Sequence, residues 1–230
     1  MNFRPLRLAL ITLAIWTASD VAVSLEPFYR EYNSTFAGFS AKSSRELKEI
    51  EPGVWELSLK ARNWIARYEE TSRFTLSENG YPIPQTHYFK GRLFGVNREE
   101  TTDFDWQNET ANWQRGDDRR TADLHTGVVD RILYQILVPM DVESGKERTT
   151  YEFVNRGDLR TYQFETMGEE TMDFDGQQIT AVKLERIYDD GEKQTSVWIA
   201  PDLGYEIVKI VHHDEDGADY LMELKAETLN

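Results

Sequence analysis

The stretch MDFDGQQITAVKLERIYDDGEKQTSVWIA, residues 172 to 200, decides the fold. Two Asp-Gly pairs, Asp175-Gly176 and Asp190-Gly191, separate runs in which apolar and polar residues alternate. Asp-Gly supplies the backbone geometry of tight hairpin turns, and period two is what a strand with one buried face requires. Val182, Leu184 and Tyr188 share one face of the first run, with Val197 and Ile199 on the returning one. The segment reads as consecutive antiparallel strands.

The pattern extends both ways. Residues 28–38 place Tyr32, Ser34 and Phe36 on one parity, and VWELSLKARNW sets Trp55, Leu57, Leu59 and Ala61 opposite Glu56, Ser58 and Lys60. Tyr68, Phe74 and Leu76 continue it. SENGYPIPQTHYFKG carries Asn79, Gly80, Pro82 and Pro84, so it is expected to bend or run extended rather than form a central strand. Tyr151, Phe153, Tyr162 and Phe164 flank a turn at residues 155–158, and Tyr220, Met222 and Leu224 alternate after HHDEDGAD.

The period changes once. In HTGVVDRILYQILVPMD, Val129, Ile132, Leu133, Ile136 and Leu137 follow one helical face. Pro139 is expected to end that helix, and Asp130 to meet the exposed amides at its start. The fold class is mainly β: antiparallel strands forming a curved sheet or partly closed barrel, with one short covering helix.

At the N-terminus Arg4 and Arg7 precede an apolar run over residues 8–16, followed by small and mixed residues. That order fits an export signal, because the apolar centre is too short to span a bilayer. The expected organisation is a signal peptide over 1–24 and a single β-rich domain over 25–230, with the periplasm as location. No later segment is long and apolar enough to remain as a stable transmembrane span. The formal charge of −15 becomes −16 without residues 1–24, which contain two Arg and one Asp. Such a chain is a poor general match for nucleic acid or anionic lipid, although basic patches can exist locally. With no Cys there is no disulfide, thiol nucleophile, thiolate ligand or lipobox.

Several constellations bear on chemistry. Phe104 and Trp106 are expected to face Ala111 and Trp113 across a hairpin turning at Asn108 and Glu109. Core packing explains these rings most simply, yet they would also suit a sugar or another flat ligand, so Phe104, Trp106 and Trp113 are the candidate ligand-binding residues. Glu99, Glu100, Asp103 and Asp105 surround this strand, and Asp117 and Asp118 stand at its far end. Convergence of Glu100, Asp103 or His125 in an open groove would favour an envelope glycan hydrolase or lyase, which needs opposed carboxylates. His212 with Asp214, or Asp214, Glu215, Asp216 and Asp219 together, have metal-ligand chemistry, but a solvated polar hairpin accounts for them. No nucleophile elbow or phosphate-binding Gly-rich loop is present. No catalytic residue, metal or cofactor is assigned.

WIAPDLGYEIVKI, residues 198 to 210, reads as a strand, a corner built on Pro201, Asp202 and Gly204, and a returning strand. Together with YNSTFAGFSAKSSREL, SENGYPIPQTHYF and VVDRILYQI, this corner resembles bacterial exported proteins grouped as domain of unknown function 3108, over roughly residues 28 to 226. The family's late tryptophan, proline-aspartate pair and glycine correspond to Trp198, Pro201, Asp202 and Gly204. Where the family often has a proline before the terminal valine-lysine segment, this chain has Glu206 and Ile207. The resemblance implies export and a β-rich fold and carries no shared reaction. The preferred expectation is a noncatalytic envelope protein that binds a lipid, a glycan or a protein partner.

Overall fold

The computed structural model describes residues 25–36, 39–188, 194–213 and 220–229. The expected signal segment and the turns at 190–191 and 214–219 lie outside them. The first arm consists of β1 (Phe28–Phe36), β2 (Phe39–Glu51), β3 (Val54–Arg62), β4 (Ala66–Leu76), β5 (Pro82–Leu93), β6 (Val96–Asp105), β7 (Thr110–Arg115) and β8 (Asp118–Asp123). After β9 (Val129–Asp130) and helix α1 (Tyr134–Glu143), the second arm follows as β10 (Arg148–Asn155), β11 (Asp158–Phe174), β12 (Gln177–Ile187), β13 (Gln194–Ala200), β14 (Glu206–His213) and β15 (Tyr220–Leu224).

These strands form one sheet in the order β8 to β1, then β15 down to β9. Each arm is a meander, because short turns join antiparallel neighbours directly. The arms meet at the β1–β15 pair, where Tyr32 stands opposite Leu224. No ladder among the described residues joins β8 to β9, so the hydrogen-bonded order is open. Side chains nevertheless bridge the arms: Arg120 of β8 lies 3.5 Å from Asp158 of β11, and Arg156 lies 3.5 Å from Glu100 of β6. The mainly β fold with one short helix is as expected.

The main core joins Tyr32, Leu57 and Phe74 of the first arm to Leu184, Ile199 and Ile207 of the second. Ile136, Leu137 and Val138 of α1 pack between them. At the Pro201–Leu203 corner Gly204 is left-handed at φ 70°, and Tyr205 donates its amide to Ala200. That geometry suits glycine and explains the motif structurally.

Two local expectations are corrected. The five apolar residues read as a helical face are all buried, but Val129 belongs to β9 and α1 runs through Pro139 to Glu143. Pro139 has no amide proton for the Gln135 carbonyl, and Arg45 Nη2 donates to that oxygen at 3.1 Å instead. The second correction concerns β5, an interior strand despite Pro82 and Pro84. Its pairing with β6 starts only at Thr86, and its register against β4 shifts beside Pro84. The prolines thus occupy the part of β5 that has no β6 partner, where a missing donor is tolerated.

Candidate functional site

Residues of both arms line an open cavity of about 850 Å³ that reaches from Tyr134 and Gln135 of α1 to Asn63 and Phe94 in the hairpin tips. Its two walls differ. On the first arm Leu59, Ala61, Tyr68, Phe89, Gly91 and Leu93 present an apolar surface. At Gly91 a Cβ would stand 2.7 Å from the Phe89 ring, so glycine is what leaves that ring room.

The second arm adds hydroxyls and a guanidinium beside Phe164, Ile210 and Met222. Arg186 is sandwiched between aromatic rings, 3.5 Å from the Tyr162 centroid and 4.1 Å from that of Tyr188. Such stacking holds a guanidinium while leaving its in-plane donors available. Its buried Nε has no hydrogen-bond partner. Tyr188, Thr195 and His212 form a hydrogen-bonded chain with both links at 2.7 Å. Arg45, on the first arm, is buried and donates to Tyr32 Oη and the Gln135 carbonyl, with its Nε also unpartnered. Burial pushes the Tyr220 hydroxyl up to about 12 and raises those of Tyr134 and Tyr162, so these phenols stay neutral donors.

In an acidic chain the lining is exceptional in charge. Among the described residues no Asp or Glu lines it, and Arg45 and Arg186 each present a buried guanidinium nitrogen without a partner. Guanidinium donors that face no carboxylate, as at Arg45 and Arg186, favour an anionic group, and the surface of Leu59, Phe89 and Leu93 favours hydrocarbon.

Beneath this space lies a buried charged cluster. Glu70 of β4, 1 % exposed, accepts from His87 Nε2 at 2.6 Å and from Arg131 Nε. Burial pushes the Glu70 carboxyl up, but the hydrogen bond and charge of His87 and the contact with Arg131 outweigh it, leaving the group below the usual 4.5. Asp130 accepts from Ser72 Oγ and from the amides of Ile132 and Leu133 at 3.0 and 3.2 Å. Burial is the main cause that raises its pKa. The cluster ties the segment before α1 to β4 and β5, and its burial keeps substrate-sized molecules out.

Phe104 and Trp113 are buried, and Phe104 belongs to a satellite core with Ala111, Ala122, Leu124, Val128 and Val154 against which Trp106 packs. Trp106 donates to the Pro84 carbonyl at 2.7 Å and Trp113 to Glu100 at 3.3 Å. None of the three lines the large cavity. Glu100 is buried beside Arg98, Arg115 and Arg156, whereas Asp103 is exposed and of opposite strand parity. His125 pairs with Glu152 at 3.4 Å, so these three do not converge. Among the described residues no group of three His, Asp or Glu is placed to hold a metal ion. The sequence signal that marks the cavity is a basic residue on an apolar parity: Arg45 alternates with Leu47, and Arg186 with Leu184.

Fold and cavity together define a mainly β domain whose single sheet carries an amphipathic internal site. The chain belongs to the family described as protein of unknown function DUF3108, whose model matches residues 31–225. Among solved structures it is similar to a beta-barrel-like protein of domain of unknown function DUF1849 from Brucella abortus, with a TM-score of 0.56 at 10 % identity. That match covers 88 % of this chain and 97 % of the other and speaks to fold alone. Comparison with curated proteins finds no match. Among the described residues no helix is long and apolar enough to cross a membrane, which says nothing of strands.

Proposed function

We propose that the protein is a noncatalytic binder of an amphipathic, lipid-class anion, working in the periplasm or cell envelope with its sheet curved around the ligand as a partly closed barrel. The observation that carries this reading is that the 850 Å³ cavity has no carboxylate among the described residues of its lining and combines an apolar surface at Leu59, Phe89 and Leu93 with the ring-stacked guanidinium of Arg186. Hydrocarbon lies along Leu59, Phe89 and Leu93, and the anionic group meets Arg186, with Arg45 adding positive charge. A cavity of this size falls within the range that encloses a small ligand. The export-like N-terminus supports the envelope as the place of action.

Native mass spectrometry of the protein recovered from its source cells tests the proposal. A reproducible adduct that organic extraction identifies as an acidic lipid is the expected result. An adduct-free protein that also fails to take up a fluorescent fatty acid overturns it.

A further inference from the structure

The cavity ends at the β3–β4 and β5–β6 hairpin tips, whose surface is unusual for an acidic protein. Trp64 in the β3–β4 turn is 80 % exposed, Phe94 in the β5–β6 turn 75 % and the adjoining Val96 72 %. They are not isolated. Phe39 at the start of β2 packs edge-on against Trp64 with centroids 5.6 Å apart, and the Phe94 amide donates to the Ile65 carbonyl. Phe39, Trp64, Phe94 and Val96 therefore make a connected apolar rim.

Phe94 is also held in an unfavourable backbone geometry. It has φ 47° and is followed by Gly95 at φ 85°, a pairing of positive values that favours Asn-Gly or Asp-Gly. The comparable turns use polar residues there, Arg156 before Gly157 and Asp175 before Gly176. A bulky residue with left-handed backbone is an outlier, and here its ring has no core to enter.

Just below the rim, on the strand parity opposite that of Ala61, Tyr68 and Gly91, stands a row of exposed cations, of which Arg62, Arg67 and Arg92 also border the mouth of the cavity. Lys42 of β2 is opposite Arg62 of β3, Arg62 opposite Arg67 of β4, and Arg67 opposite Arg92 of β5. All four are exposed, and among the described residues none forms an ion pair. Like charges directly opposite one another destabilise a sheet, so this row is not explained by folding. Strand spacing makes it roughly 14 Å wide.

We propose that the β3–β4 and β5–β6 hairpin tips, with Phe39 beside them, dock on an anionic lipid surface, Phe39, Trp64, Phe94 and Val96 entering the headgroup boundary and Lys42, Arg62, Arg67 and Arg92 meeting the headgroups. Aromatic and aliphatic tips suit that boundary, and basic residues next to them add attraction. The negative charge of the whole chain does not prevent contact, since charges beyond about 8 Å are screened at physiological ionic strength. Docking turns the open end of the cavity toward the bilayer. It stands independently of what the cavity holds.

The lack of native cysteine permits a site-resolved test. Full-length Val96→Cys and, at the opposite end, Ser144→Cys are labelled with nitrobenzoxadiazole and mixed with phosphatidylglycerol vesicles or phosphatidylcholine vesicles. The expected result is a blue shift and several-fold brightening at position 96 with phosphatidylglycerol, weaker in high salt, and no response at position 144. Changing Lys42, Arg62, Arg67 and Arg92 together to Gln lowers vesicle affinity more than about tenfold, each charge contributing roughly fivefold. Its melting temperature, equal to or above that of the parent, reports intact folding. Equal responses at both positions, no response at 96, equal response to phosphatidylcholine, or unchanged affinity in the Gln variant overturns the proposal.

Discussion

Arg45 Nη2 donates at 3.1 Å to the carbonyl oxygen of Gln135, the helical acceptor that Pro139 leaves unserved. One guanidinium thereby fastens α1 to β2 while its Nη1 donates to Tyr32 at 2.9 Å. Removing the donor exposes both acceptors to an unpaired buried state. Arg45→Met is expected to lower stability by about 2–3 kcal/mol, the range for stranding a buried polar partner. Pro139→Ala restores a helical donor for Gln135. A urea-denaturation double-mutant cycle should therefore show Arg45→Met to be less damaging in the Pro139→Ala background, and strictly additive losses would contradict the assigned relationship.

Much of this architecture was legible because strand alternation and turn chemistry are local. Leu184, Val197 and Ile199 are buried as their parity requires, Val182 is partly buried beside the more buried Ala181, and Asp175-Gly176 makes its hairpin. The helix end was misread because the partner that rescues the Pro139 position lies 90 residues away in sequence. Pro82 and Pro84 misled for a related reason: whether a missing donor matters depends on whether β6 extends that far. Arg45 and Arg186 on apolar parities mark the cavity only once the arms are placed, because it depends on how two arms sit across space, whereas Phe104, Trp106 and Trp113 offer the same aromatic pattern whether they fill a core or bind a ligand.

The second prediction concerns ligand charge. Loss of a hydrogen bond to a charged group is worth about 1.5–3 kcal/mol, or roughly 10–100-fold in affinity. Arg186→Leu should weaken a fluorescent fatty acid by that factor and leave an uncharged monoacylglycerol nearly unchanged. Ala61→Phe, which adds bulk to the apolar wall, should weaken both. Competition titrations separate the two patterns, and equal losses for acid and neutral ligand in Arg186→Leu would remove its assigned role.

The buried cluster predicts a pH dependence with a definite sign. The Glu70 pKa is held below its ordinary 4.5 chiefly because His87 and Arg131 outweigh burial. A depressed folded-state pKa contributes stability that is complete above the unfolded value and is lost as pH falls through the folded one. Glu70→Gln should be destabilised by about 3–5 kcal/mol at neutral pH, since it leaves Arg131 and His87 without their carboxylate. The gap from the parent should narrow below pH about 4.5. Urea unfolding at pH 7 and pH 3 measures it, and a gap independent of pH would count against the ion-paired carboxylate.

The turn at Phe94 sets stability against docking in a way one substitution can separate. A left-handed backbone disfavours most side chains by about 1–2 kcal/mol, and Asn is among the residues that visit it readily. Phe94→Asn gives the β5–β6 hairpin the Asn-Gly pair its φ values of 47° and 85° favour. Because the ring is 75 % exposed, little core packing is lost with it. The variant should be more stable by about 1 kcal/mol and yet bind phosphatidylglycerol vesicles less well. Thermal melting and vesicle flotation on the same sample read the two effects. A variant that gains stability and keeps full vesicle affinity would show the exposed ring to be incidental, while a loss of stability would mean that it supports the hairpin through contacts within the rim.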